Sequence, residues 1–162
     1  MKYDTVGREL LRKVALRHEW AIDVGCRDKL IAQNCVGVDI DKTAKAASLR
    51  IDLQAMAAHG ITDVPCIVAA HCLEHCKVAR HAIGSAYRSL RTGGTFAAIV
   101  PHGEDVDSNT LGDGDRNHYQ LFTPKTLELY FMFAGFDIVK CCAYNRPYAW
   151  RASRGIYCEG VK

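Results

Sequence analysis

The chain reads as an α/β protein, a doubly wound and mostly parallel sheet of seven strands, folded as one domain over residues 1–162. Three observations predict this. Short, mostly apolar runs at 21–25 (AIDVG), 35–39 (CVGVD), 65–70 (PCIVAA) and 95–101 (TFAAIVP) have the character of strands buried on both faces. Segments of helical period alternate with them, which is the pattern of parallel sheets with helical crossovers. The length of 162 residues, with 49% hydrophobic and 24% charged residues, suits one core rather than two.

Taken in order, residues 6–18 place Val6, Leu10, Leu11 and Val14 on one helical face, with Asp4 or Thr5 as N-cap, so residues 1–19 read as a covering helix. AIDVG and CVGVD follow as strands one and two, and the short stretch between them leaves room only for a stunted crossover helix. SLRID (48–52) reads as a weak third strand, followed by a short helix at QAMAAH that Gly60 stops. PCIVAA is the fully apolar fourth strand and therefore central. Residues 78–91 carry Val78, Ala82, Ile83, Ala86, Tyr87 and Leu90 on one face, and Gly93 and Gly94 end that helix. TFAAIVP is strand five, closed by Pro101.

Residues 102–117 are polar, contain glycine and have no period, so they read as an active-site loop. Thr123 as N-cap and Pro124 at the first helical position open a helix through LELYFMFA that Gly135 ends. FDIVKCCAY and GIYCEGVK close the sheet as strands six and seven.

Composition narrows the function classes. The first residues lack the apolar core of an export signal, and no later apolar run is long enough to span a bilayer, so a cytoplasmic protein without a membrane span is expected. Eight cysteines in such a chain read as reduced, mostly buried thiols. A formal charge of +3 falls short of the footprint of a dedicated nucleic-acid binder; nucleic acid is neither indicated nor excluded. Oligomeric state leaves no signature.

In an open parallel sheet the ligand crevice lies beyond the carboxyl ends of the strands. The residues at those ends are Asp23-Val24-Gly25-Cys26, then Asp39, Asp52, His71 and Pro101-His102. Three carboxylates at strand ends outline one crevice, although Asp23 and Asp52 also read as caps of the turns that follow them. No metal is expected: His71, Cys72, His75 and Cys76 complete no zinc pattern. The acids Asp105, Asp107, Asn109, Asp113 and Asp115 miss a calcium loop, with Thr110 at its glycine and Arg116 at its bidentate glutamate.

On AIDVGC, GVDID, HCLEH, SLRTGGTFAAIVP and HYQLFTPKTLELYFMFAGF the chain resembles the class I S-adenosylmethionine-dependent methyltransferases over nearly its whole length. The short spacing of the first two pieces is similar to a compact, small-molecule or glycan-type subgroup. The resemblance implies a Rossmann-like fold and S-adenosylmethionine as cofactor. It also implies Asp23, Gly25 and the Cys26 backbone at the methionine part, Asp39 with Ile40 at the ribose, Asp52 with Leu53 at the adenine, and His71 beside the cofactor.

The implied reaction is methyl transfer to a small-molecule, sugar or lipid-linked acceptor, with His102 and His118 as candidate bases and His71 a third. His118 has an equal reading as a loop anchor. AAHCLEH lacks the Asn/Asp-Pro-Pro-aromatic turn used for exocyclic base amines, while other nucleic-acid methylation stays open. The chain departs from the family where two further glycines are replaced by Arg27 and Lys29, which motivates a second expectation of a non-catalytic binding or scaffold protein. A small dehydrogenase ranks third, because G-x-G-x-x-G is absent after Gly25.

Overall fold

The structure, a computed structural model, describes residues 4–105, 118–146 and 153–162. Helix α1 (Thr5–Ala15) leads into β1 (Ala21–Val24) and β2 (Cys35–Val38), then two 3₁₀ turns at Leu53–Ala55 and Ala57–His59. Next come β3 (Val64–Ala70), a 3₁₀ turn at Leu73–His75, α2 (Ala79–Ser89), β4 (Leu90–Pro101), α3 (Pro124–Ala134), β5 (Asp137–Arg146) and β6 (Ser153–Val161). The strands form one sheet in the order β2-β1-β3-β4-β6-β5. Every neighbouring pair is parallel except those made by β6, which runs against both β4 and β5.

Helix starts follow the residues that predict them. Asp4 caps α1, its Oδ1 accepting from Gly7 N at 2.9 Å. Thr123 and Thr126 form a reciprocal cap with Pro124 in the first turn of α3, and Gly135, at φ +106°, ends that helix in the left-handed region. The two faces of the sheet are covered separately. On one, Ile22, Ile67, Phe96 and Ala98 pack under Ala82, Ile83, Leu127 and Phe131 of α2 and α3. On the other, Val68, Ala97 and Ile99 pack under Leu11, Val14 and Ala15 of α1.

Three expectations are corrected. The sheet has six described strands rather than seven, because SLRID contributes only a lone parallel bridge between Leu49 and Val38. Leu49 N donates to Gly37 O and Asp39 N to Leu49 O, the two bonds of that bridge, while Ser48 N shares the Gly37 carbonyl and the Arg50 guanidinium binds Ala44 O and Ala47 O. No helix forms between β1 and β2, where turns take the whole connection. In addition, β4 starts at Leu90, directly after α2, rather than beyond the glycines. The expected active-site loop lies outside the described residues from 106 to 117, and so do the calcium-loop positions Asp107 to Arg116.

All eight cysteines are free thiols. No helix among the described residues is long and apolar enough to cross a membrane.

Glycine inside a strand marks a close approach of backbone. At Gly37 a Cβ would lie 2.2 Å from Ala46 O, so Gly37→Ala must displace the 41–48 segment and should cost about 1–3 kcal/mol. Gly84, inside α2, faces only the flexible end of Arg88, and Gly84→Ala should gain about 0.5–1 kcal/mol. Urea unfolding of the two variants checks both signs.

Candidate functional site

Parallel pairing of β1, β2 and β3 brings Asp23, Asp39 and His71 to one edge of the sheet. The turn after β1 is held from both sides. Gly25, at φ +72°, donates from its amide to Val38 O at 2.8 Å, and a Cβ there would meet the Cys72 Cβ at 3.3 Å. Arg27 also adopts the left-handed region, at φ +52°, which explains why glycine suits this position. Its amide donates to Asp39 Oδ2 at 2.9 Å and its carbonyl accepts from Ala46 N at 2.9 Å. The Arg27 side chain is exposed and reaches Asp41 at 3.6 Å, and Lys29 is exposed as well, so neither fills the turn.

The two carboxylates nearest this turn are buried. Asp23 accepts from Ile31 N at 2.7 Å; burial pushes its pKa up to about 7, with the charge of Asp39 adding to the effect. Asp39 accepts from Arg27 N through Oδ2 and from Asp41 N, at 2.8 Å, through Oδ1. Beside it Ile40 is 67% exposed, an apolar side chain standing at the mouth. The Cys26 side chain turns away beneath β2 against Gly37, and burial raises its thiol to about 11, so only its backbone borders the crevice.

Asp52 caps the following 3₁₀ turn, accepting from Gln54 N at 2.9 Å and from Gln54 Nε2 at 3.1 Å. Leu53 is 2% exposed and packs in the core on the α2 side, so its side chain faces inward rather than into the crevice.

His71 lies at φ +52°, with Nε2 3.2 Å from Asp4 Oδ2 and Nδ1 3.3 Å from Glu74 Oε1. Tyr144 OH donates to the same Asp4 oxygen at 2.5 Å, and Arg146 Nε lies 3.3 Å from it. Burial disfavours charge on His71, yet its hydrogen bonds to the Asp4 and Glu74 carboxylates outweigh it and raise its pKa. Asp4, Tyr144 and Arg146 escaped the sequence reading as site residues. Asp4 showed only as a cap, and nothing local ties it to residues some 140 positions away.

The candidate bases separate. His102 is buried, bridges to Phe122, and takes the Glu104 amide on Nδ1 at 3.3 Å. His118 packs edge-on to His75, ring centroids 4.7 Å apart. An open groove lined by Arg12, Leu16, Leu30, Ile31 and Ala46 lies on the flank between α1 and the β1–β2 turn, bordered by none of the strand-end residues.

No protein-family model matches the chain, and no curated protein does. Solved structures do. A SAM-dependent methyltransferase from Archaeoglobus fulgidus is 12% identical, with 96% of this chain and 94% of that one covered at a TM-score of 0.68. The YcgJ protein from Bacillus subtilis is 14% identical, covering 97% of this chain and 98% of that one at 0.76. The cyclase SpnF is 12% identical, covering 96% and 80% at 0.67. The chain therefore has the class I methyltransferase fold.

A carboxyl whose pKa rises from 3.8 to about 7 on folding makes the folded state bind the extra proton, so stability falls as pH climbs between those values. Asp23→Asn retains an acceptor for Ile31 N and removes the charge. Its melting temperature should match the native chain's near pH 4 and exceed it by several degrees, order of magnitude, above pH 7. His71 acts in the next window: its raised pKa stabilises fully below about 6.5 and is lost as pH rises through the folded value. Thermal melts of His71→Gln should lack that upper decline.

Proposed function

We propose that the chain is an S-adenosylmethionine-dependent methyltransferase acting on a small-molecule, sugar or lipid-linked acceptor. The observation that carries this reading is the pair of buried carboxylates, Asp23 and Asp39, at adjacent strand ends around the left-handed turn at Gly25. Burial, with the neighbouring Asp39 charge adding to it, makes an ionised Asp23 costly, and a cation beside it offsets that cost. A sulfonium cofactor with an α-amino group supplies positive charge there. Each Asp39 oxygen accepts one backbone amide and keeps a further acceptor site for a ribose hydroxyl. Exposed Ile40, next to Asp39, offers an apolar side chain for the nucleoside, and Asp52, which caps the 3₁₀ turn that follows, is the third acid of the reading.

When bound, the cofactor supplies an electrophilic methyl group for direct displacement. The chain's own task is then to hold the acceptor in line and, where the acceptor must lose a proton, to take it. His102, buried at the end of β4 with Nδ1 accepting from Glu104 N, is one expected base. His118 is the remaining expected base, and it would act as a member of a cluster with His75 and Glu74 rather than alone. His71, locked between two carboxylates, supports the wall of the crevice.

A second reading, a non-catalytic binding or scaffold protein, draws support from Arg27, whose amide and carbonyl are both spent within the protein. A solved neighbour with this fold that is named a cyclase also illustrates that the fold is not tied to one chemistry.

Isothermal titration separates the two. S-adenosylmethionine and S-adenosylhomocysteine should bind saturably, and Asp39→Ala should weaken both by at least about tenfold, the cost of losing hydrogen bonds to a charged group. Absence of binding to the native chain would leave the scaffold reading standing.

A further inference from the structure

We propose that Glu74, His75 and His118 form a binding site for a divalent transition-metal ion at the carboxyl edge of the sheet. One ligand atom from each of the three lies within 4.8 Å of the other two. Metal bonds of about 2.0–2.2 Å hold ligand atoms roughly 3–4 Å apart, so small side-chain rotations close the set around an ion. Two imidazoles and one carboxylate suit zinc, iron, cobalt or manganese rather than calcium or magnesium.

A second observation points the same way. Glu74 is 1% exposed, and its Oε2 is buried without a hydrogen-bond partner. A carboxylate oxygen left so is expensive, and nearly all buried polar atoms find a partner. The same carboxylate is oriented from behind, since Oε1 is engaged by His71 Nδ1 and His71 in turn by Asp4. Hydrogen-bonded support of this kind fixes the direction of a metal ligand.

The main chain places the third ligand. Tyr119 N and Gln120 N both donate to Glu74 O, at 2.8 and 3.3 Å, and Gln120 Nε2 reaches Lys77 O at 3.2 Å. These bonds pin the residues around His118 onto the 3₁₀ turn that carries Glu74 and His75, and bring the two rings edge to edge. Three protein ligands leave at least one coordination position for water or an oxygen of a bound molecule. The site stands independently of the cofactor reading, because metal occupancy is measured without the cofactor.

The test uses the full chain freed of metal by dialysis against a chelator. Titration with Co²⁺, followed by visible absorption, and with Zn²⁺, followed by calorimetry, should show one saturable site and a higher melting temperature with metal. His118→Ala, at a half-buried side chain, should keep the native circular dichroism and lose at least about tenfold in affinity, and Glu74→Gln should do the same. A readout without substitution is protection of His75 and His118 from diethylpyrocarbonate by Zn²⁺, mapped by mass spectrometry. No saturable binding by the native chain, unchanged affinity in a folded His118→Ala, or equal modification with and without Zn²⁺ would each overturn the proposal. Titration of the metal-free chain with S-adenosylmethionine is read separately, so failure of either proposal leaves the other to its own measurement.

Discussion

The Asp39 carboxylate holds the strand-end region together. One oxygen accepts the Arg27 amide and the other the Asp41 amide, so a single buried side chain joins the turn after β1 to the turn after β2. The left-handed backbone at Arg27, the outward course of its guanidinium and the approach of the 41–48 segment over Gly37 are consistent with that junction. A buried charge stabilises such a junction only when its hydrogen bonds are complete. Asp39 has two from the protein and room for more, which makes it both a structural tie and a point of recognition.

The second organising element lies across the edge, where Asp4, His71, Glu74, Tyr144 and Arg146 meet. It joins the start of α1, the end of β3 and the end of β5, elements remote in the chain. Two carboxylates, an arginine and a histidine with a raised pKa nearly balance in charge, which is the condition for burying ions at tolerable cost. The leftover is specific: Oε2 of Glu74 is buried without a hydrogen-bond partner, and the Glu74 carboxylate lies within 4.8 Å of ring nitrogens of His75 and His118.

Much of this was legible in the linear chain. The apolar runs located β1 to β4 within a few residues, and Asp4, Thr123, Pro124 and Gly135 announced the ends of α1 and α3 through local hydrogen bonding and backbone preference. Gly25 and Asp39 stood out because strand ends in parallel sheets face ligands. The third strand failed because SLRID has strand-like composition but pairs with β2 only through Leu49, whose amide and carbonyl bond Gly37 O and Asp39 N, and the extent of such pairing depends on long-range contacts that no window of sequence contains. The side chain of Leu53 packs inward on the α2 side, a burial that its neighbours in sequence do not announce.

Local sequence set most of the strands and helices, the caps of α1 and α3, and which acids and histidines stand at strand ends, because each depends on neighbours a few residues apart. The tertiary structure decided which of those groups share an environment. Burial pushed the Asp23 pKa up to about 7 and the Cys26 thiol to about 11, and strand pairing set Asp39 beside Asp23. Main-chain bonds from Tyr119 and Gln120 laid His118 against His75 across 43 residues of chain. Desolvation and long-range contact belong to the folded shape, so the chemistry of this edge emerges only once the sheet has assembled.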